Sequence, residues 1–275
     1  MDTPDRAWAL PVMRAGYAGR ALTYAIVAGL SLWAIWRGGD AEGTTSSLEE
    51  LRGAWWGVVL IAAVAAGLLA YMVWRLIDAA LDLERYGTDA KGLVARSGMV
   101  VTGLAHGAIG IAAAGVLGVG TGGGRGIPGA VGTVLGWPGG RWIVVAGGLL
   151  TLAAGIYYLR KAWTRGYREA LMANPATRRW DGLLAAGVAA QGVVVGVAGG
   201  LLTVAGLRGD PEQAGGLDRV FEWMSGQPFG QAAVVALCAG LLLFAAFCAV
   251  NARYRIVPGL HDPASMPGSL RAALS

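Results

Sequence analysis

Residues 54–79 read AWWGVVLIAAVAAGLLAYMVWRLIDA. The run carries no charge before Arg75, and at about 1.5 Å of rise per helical residue it is long enough to cross the roughly 30 Å hydrocarbon core of a bilayer. Trp55, Trp56 and Trp74 lie near its ends, where an amphipathic ring can sit at the depth of the lipid headgroups. The run is therefore predicted to be a transmembrane helix.

The composition of the whole chain predicts the same environment. Of its 275 residues, 55% are hydrophobic and only 14% are charged, whereas a soluble globular domain carries about 25% charged residues. The mean hydropathy of +0.54 argues against a disordered chain, a fibrous protein or a soluble enzyme with one membrane anchor. Further runs of spanning length occupy about 16–36, 95–118, 140–162, 183–206 and 230–252. We predict an all-α membrane protein with six transmembrane helices.

Glycines at near-constant offsets indicate an internal repeat. The odd-numbered helices begin at Gly16, Gly98 and Gly187, and the even-numbered ones at Gly57, Gly140 and Gly230. Because each copy contains two spans, all copies have the same orientation, and pseudo-threefold symmetry about the membrane normal follows. The predicted units are three tandem helical hairpins and a cytoplasmic tail: 1–92 (spans 16–36 and 54–79), 93–178 (spans 95–118 and 140–162), 179–258 (spans 183–206 and 230–252) and 259–275.

The loops before the even-numbered helices share a G-x-x-x-G motif, which reads Gly53-Ala-Trp-Trp-Gly57, Gly136-Trp-Pro-Gly-Gly140 and Gly226-Gln-Pro-Phe-Gly230. Two of these loops also predict short interfacial helices. Ser47-Leu-Glu-Glu50 fits a capping box, and Leu217, Val220, Phe221 and Met224 share one helical face.

Three stretches of the sequence carry a family resemblance: Arg14-Ala-Gly-Tyr17-Ala-Gly-Arg20 with Tyr24, Gly67-Leu-Leu-Ala-Tyr71-Met-Val-Trp74-Arg75, and Ala252-Arg-Tyr254-Arg255. In these stretches the chain resembles the domain-of-unknown-function family 1206, a family of bacterial membrane proteins with three two-helix repeats. The resemblance covers roughly 10–258 and has no known activity attached to it. It implies an arginine at the Arg20 position of each repeat, which Thr102 and Gln191 replace in the second and third copies.

The distribution of basic residues predicts the topology. Of the 22 Lys and Arg residues, 16 lie in the N-terminal segment, the 75–96 and 160–179 loops and the C-terminal tail, and six lie on the other side. The positive-inside rule then predicts that both termini are cytoplasmic. Only Lys91 and Lys161 of the basic residues are lysine, and Ala and Gly are abundant, so we expect a bacterial source and an inner-membrane location. A basic face of this kind reflects membrane topology, so we expect no nucleic-acid partner.

Small residues recur at every fourth position of the odd-numbered helices, where they would let two helix backbones pack closely. Packing within the chain is the expected role, and a self-association face is the alternative. The stripe comprises Ala21, Ala25, Gly29, Gly103, Gly107, Gly192, Gly196 and Gly200.

A polar stripe runs beside the small one and supplies the candidate functional residues: Arg20, Tyr24, Thr102, His106 and Gln191. Arg20 is expected to extend its guanidinium to the cytoplasmic interface. His106 lies about 15 Å beyond Arg96, near the bilayer centre, where an ionisable group is costly. We expect a neutral imidazole hydrogen-bonded to a neighbouring helix, with a proton-relay or ligand role as the alternative.

No motif for catalysis or cofactor binding stands out. The glycine-rich residues 118–126 match G-x-G-x-x-G, but they follow an apolar helix and not a strand, so they predict a flexible loop. Cys238 and Cys248 face different directions of one predicted helix and cannot pair. We therefore expect a non-enzymatic scaffold or accessory subunit that takes no cofactor and binds membrane lipid or a partner membrane protein. The alternative is a small-solute or proton channel or transporter with a polar axial cavity around His106.

Overall fold

The described part of the chain contains six long apolar helices, which confirms the predicted all-α membrane fold. In the computed structural model, residues 8–53, 55–119, 126–173 and 175–260 are described. The six helices long and apolar enough to cross a membrane are α1 (Ala9–Trp36), α3 (Trp55–Leu81), α4 (Ala90–Val116), α6 (Gly140–Trp163), α8 (Asp181–Arg208) and α10 (Gly230–Tyr254). Shorter helices are α2 (Thr44–Leu51), α5 (Gly126–Leu135), α7 (Pro175–Arg179) and α9 (Leu217–Ser225).

Two of the long helices begin earlier than their apolar runs. The extra turns of α1 exist because Ala9 and Met13 are buried against Tyr71, Trp74 and other apolar residues. The start of α4 is set by Asp89, whose Oδ1 accepts a hydrogen bond from the backbone N–H of Gly92 at 2.8 Å. Such an N-cap satisfies a donor that the first helical turn leaves free.

The short helices α2, α5 and α9 precede the second, fourth and sixth spans, which are α3, α6 and α10. The G-x-x-x-G motif makes the turn between each short helix and the span that follows it. A Cβ atom at Gly57, Gly140 or Gly230 would collide with a carbonyl oxygen at the end of the preceding short helix. Glycine is therefore required at these three positions. The prediction of α9 is confirmed, with Leu217, Val220 and Phe221 buried. The capping box is wrong, because α2 begins one residue after Gly43 with no side-chain cap and Ser47 lies inside it.

The three hairpins are arranged around a ring. Successive hairpins contact each other through α3 with α4, α6 with α8, and α10 with α1, while α1 packs on α3 and α8 packs on α10 within the first and third hairpins. These contacts repeat around the ring as the pseudo-threefold arrangement requires. In the described residues α4 and α6 of the second hairpin form no contact of comparable extent. We call this interruption the α4–α6 seam.

The chain after α10 closes one end of the bundle. Backbone hydrogen bonds join Met172 to Tyr254 and Ile256 to Ala170, each at 2.9 Å, and Gly259 to Leu83 at 2.8 Å. This segment thus ties together the loops that follow α3 and α6, and we call this end of the bundle the basic end. Of the predicted tail 259–275, residues 261–275 lie outside the described residues.

Candidate functional site

Arg20 lies inside the bundle and not at the interface. Because α1 begins at Ala9, Arg20 is about 16 Å along the helix, and the residue is 4% exposed. Its Nη1 donates a hydrogen bond to the hydroxyl of Tyr71 at 2.9 Å. Its guanidinium carbon lies 4.6 Å from the centre of the Tyr71 ring and 5.3 Å from that of Phe244. The expectation that Arg20 reaches the interface is wrong, because a hydroxyl and two ring faces on other helices bind its charge.

Tyr24 and Gln191 join three helices beside Arg20. Gln191 is 5% exposed, and its Nε2 donates a hydrogen bond to the hydroxyl of Tyr24 at 3.0 Å. The Tyr24 ring meets the Phe244 ring edge-on, with centroids 5.0 Å apart. The structure therefore brings Arg20, Tyr24 and Gln191 together, as members of one polar stripe.

Thr102 and His106 are half-buried on α4 and bond mainly to their own helix. Thr102 donates to the carbonyl oxygen of Gly98 at 2.7 Å, and Nδ1 of His106 lies 2.8 Å from the carbonyl oxygen of Thr102. A carbonyl oxygen only accepts, so Nδ1 carries the hydrogen of this bond. The expected hydrogen bond from His106 to another helix is not the one formed. Its contact with another helix is with the ring of Tyr71, whose centroid is 4.9 Å away.

Sequence reasoning missed Tyr71 as the centre of the site. Its hydroxyl accepts from Arg20 and also from Nε of Arg75 at 3.0 Å. Arg75 then extends the network to Asp78, with its Nη1 at 3.3 Å from Oδ2, and to Glu84, with Nη1 at 3.7 Å from Oε1. A chain of polar contacts thus runs from the interior of the bundle to its basic end.

A third arginine, Arg255, directly follows α10 and completes this network. Nε of Arg255 donates to Oε1 of Glu84 at 2.9 Å, and Nη1 donates to Oδ1 of Asn251 at 2.8 Å. We call Arg75, Asp78, Glu84, Asn251 and Arg255 the basic-end cluster. The sequence did contain a signal for this cluster. Polar residues lie three or four positions apart near the ends of two apolar helices, Arg75 with Asp78 in one and Asn251 with Arg255 in the other.

The electrostatics of the cluster are dominated by ion pairing. Burial alone would raise the pKa of Glu84, but the guanidinium groups of Arg255 and Arg75 outweigh it and lower this pKa to about 2. Burial likewise would lower the pKa of Arg255, and the Glu84 carboxylate reverses this and raises it. Both groups remain charged at neutral pH.

Arg20 lacks a carboxylate partner. Among the described residues, Arg75 pairs with Asp78 and Glu84 and Arg255 pairs with Glu84, whereas Arg20 pairs with neither carboxylate. Nε of Arg20 and Oε1 of Gln191 are also buried, and neither has a hydrogen-bond partner among the described residues. A buried unpaired cation is costly, and the aromatic rings around Arg20 offset part of that cost.

A comparison with models of known protein families shows which family this chain belongs to. The profile of the Domain of Unknown Function (DUF1206) matches three segments, residues 15–82, 97–165 and 186–255. The chain belongs to the DUF1206 family. None of the curated proteins and none of the solved structures compared matches it.

The small-residue stripe of this DUF1206 protein packs unevenly. Gly103 and Gly107 face α3, where an added Cβ would come within 2.9 Å of Arg75 and 3.0 Å of Met72 Cγ. An added Cβ at Gly192 would lie 3.0 Å from Leu159, and one at Gly155 would lie 2.5 Å from the backbone of Gly196.

The first DUF1206 repeat departs from the expected stripe. Ala21 is half-buried, while Ala25 and Gly29 are exposed, and nothing lies within 4 Å of an added Cβ at Gly29 or at Gly200. The close approach of α1 to α3 uses Gly16 and Gly19. Helix α1 packs against α10 through larger side chains, among them Val27 and Leu241. The small residues of α1 therefore take no part in the contact with α10.

The described residues of the DUF1206 chain contain no group of three His, Cys, Asp or Glu side chains that could hold a metal ion. Cys238 and Cys248 are both free and buried. The contacts seen at the site are hydrogen bonds, ion pairs and aromatic contacts between helices.

Proposed function

We propose that this polytopic membrane protein is a non-enzymatic scaffold or accessory subunit that binds membrane lipid or a partner membrane protein. The observation that carries the proposal is the use of the interior polar groups. Arg20, Tyr71, Arg75, Glu84 and Arg255 bind one another across the bundle. Groups engaged in this way stabilise a fixed arrangement of helices and are not free to bind a passing solute.

The apolar half of the bundle gives further support. Beyond Tyr24 the helices meet through apolar clusters, one built around Val27, Val234, Leu237 and Leu241 and another around Ile61, Val64 and Leu68. The network of Arg20, Tyr71 and Arg75 leads to the basic end. Toward the other end, the buried hydroxyl of Ser31 is taken up by the backbone of Glu42.

A proton or small-solute transporter is the second candidate, and His106 favours it. The ring is half-buried on α4 and touches Tyr71, which leads through Arg75 to the basic end. An ionisable side chain inside a membrane span is a default candidate for such a role.

Flux measurements separate the two candidates. We expect proteoliposomes that contain the protein to show no proton flux above that of empty vesicles when a pH gradient is applied, and His106→Gln to fold normally and to leave this baseline unchanged. A pH-dependent flux that His106→Gln abolishes would establish the transporter and contradict the scaffold. Circular dichroism of the variant serves as the folding control.

We also propose that the protein lies in the cytoplasmic membrane of a bacterium with both termini and the basic end inside. A single cysteine at Gly53 is then expected to react with an impermeant maleimide from outside the cell, and a cysteine at Ala173 only after the membrane is opened. Both positions are exposed, and the native Cys238 and Cys248 are buried. Labelling of the Ala173 position from outside would reverse the topology.

A further inference from the structure

At the α4–α6 seam, a glycine of the second repeat differs in its surroundings from the equivalent glycines of the other two. A Cβ at Gly16 would lie 2.6 Å from the Cα of Tyr71, and one at Gly187 would lie 2.5 Å from the backbone of Leu243, so both hairpins are closed there. At Gly98 nothing lies within 4 Å. The second hairpin thus leaves open a position that the other two close by backbone contact.

The helices present polar side chains on the faces that border this seam. On α4 these are Thr102 and His106, both half-buried. On α6, Tyr158 and Lys161 are half-buried and lie less than one turn apart. Half-burial places both side chains at the edge of the bundle interior, and Tyr158 packs against the buried cluster that includes Ala162 and Leu184.

Two hydrogen-bond donors on α6 have no acceptor. In the described part of the chain, neither the ammonium group of Lys161 nor the hydroxyl of Tyr158 forms a hydrogen bond, and Lys161 has no carboxylate within 4.0 Å. Lys161 Nζ lies 5.9 Å from the centroid of the Tyr157 ring. Lys161 lies two residues before the exposed Trp163 at the end of α6, which is the headgroup depth that a terminal tryptophan marks.

We infer that the α4–α6 seam binds one anionic phospholipid of the cytoplasmic leaflet. Its phosphate accepts hydrogen bonds from Lys161 and Tyr158, and one acyl chain lies between the helices beside Gly98 and Thr102. Charge complementarity favours this occupant, since the unpaired groups at headgroup depth are donors and one is a cation. The inference rests on the proposed lipid-binding scaffold and names the lipid class and its site.

Native mass spectrometry of the purified protein tests the inference. Delipidated protein is titrated with phosphatidylglycerol and, separately, with phosphatidylcholine of the same acyl chains. We expect one saturable site that prefers phosphatidylglycerol. Lys161→Gln should weaken that binding about fivefold, the effect of about one charge at the membrane surface, and Tyr158→Phe should weaken it less. Arg253→Gln is the control, because Arg253 is an exposed cation at the same end of the bundle on α10, which packs on α1 and α8, so this change should leave the affinity unchanged.

Closing the seam provides an independent variant. Gly98→Leu places a side chain in the open position and should abolish the saturable site while thermal unfolding shows the fold intact. Gly182→Leu, at another exposed glycine with nothing within 4 Å of its Cβ, should not. The inference would be overturned by equal affinity for the two lipids, by equal loss in Lys161→Gln and Arg253→Gln, or by binding that survives Gly98→Leu. Proton flux in proteoliposomes would refute the scaffold and leave this titration to be judged by itself.

Discussion

Glu84→Gln is expected to lower the free energy of unfolding by about 3–5 kcal/mol, the range measured when one partner of a buried ion pair is removed. The side chains of Glu84 and Arg255 are each 8% exposed. The neutral amide leaves the charges of Arg255 and Arg75 without the carboxylate that both approach. Titration with sodium dodecyl sulfate in mixed micelles would measure the loss.

An exposed ion pair of the same chemistry is the control. Glu222 pairs with Arg219 at 2.5 Å, and its side chain is 67% exposed. Because water screens such a pair, Glu222→Gln should cost less than about 1 kcal/mol. Equal losses in the two variants would contradict the structural importance of the basic-end cluster.

The pH dependence of stability should carry the signature of Glu84. Its pKa of about 2 in the folded protein is below the value of about 4.3 of an unperturbed glutamate. The ionised carboxylate therefore contributes its full stabilisation above about pH 4.3 and loses it as the pH falls toward 2. We expect the unfolding temperatures of the wild type and Glu84→Gln to differ most at neutral pH and to converge on acidification. A gap that stays constant down to pH 3 would contradict this account.

Gly16→Ala and Gly187→Ala are expected to destabilise the protein by about 1–3 kcal/mol each, as overpacking does elsewhere. At both positions the added methyl meets backbone atoms of the partner helix at 2.5–2.6 Å, and backbone cannot move aside without separating the helices. The unfolding titration in mixed micelles again gives the size of the effect.

Gly98→Ala is the matched control, because Gly98 occupies the same position in the second repeat and nothing lies within 4 Å of an added Cβ. Alanine there should leave stability unchanged or raise it by up to about 1 kcal/mol, the helix-propensity difference between the two residues. The sign of the effect thus distinguishes the open hairpin from the closed ones. Destabilisation by Gly98→Ala equal to that of Gly16→Ala would mean that the α4–α6 seam is closed.

Local features of the sequence were sufficient to predict most of the fold. An apolar run such as 54–79 has to become a helix in a bilayer, because only internal hydrogen bonds satisfy its backbone there. The repeated glycines at Gly57, Gly140 and Gly230 marked the turns before the even-numbered helices. The amphipathic pattern of Leu217 and Phe221 likewise identified α9.

Tertiary contacts decided the rest, including the candidate site. Glu84 and Arg255 are 171 residues apart, and no local pattern pairs them. The early start of α1 depends on the burial of Met13 against side chains from other parts of the chain, and the burial of Arg20 depends on Tyr71 and Phe244. In the bilayer each span has to satisfy its own backbone hydrogen bonds. Composition and length are therefore enough to predict the spans. The choice of partner for each polar group, and the failure of α4 and α6 to close, arise from how all six helices pack together.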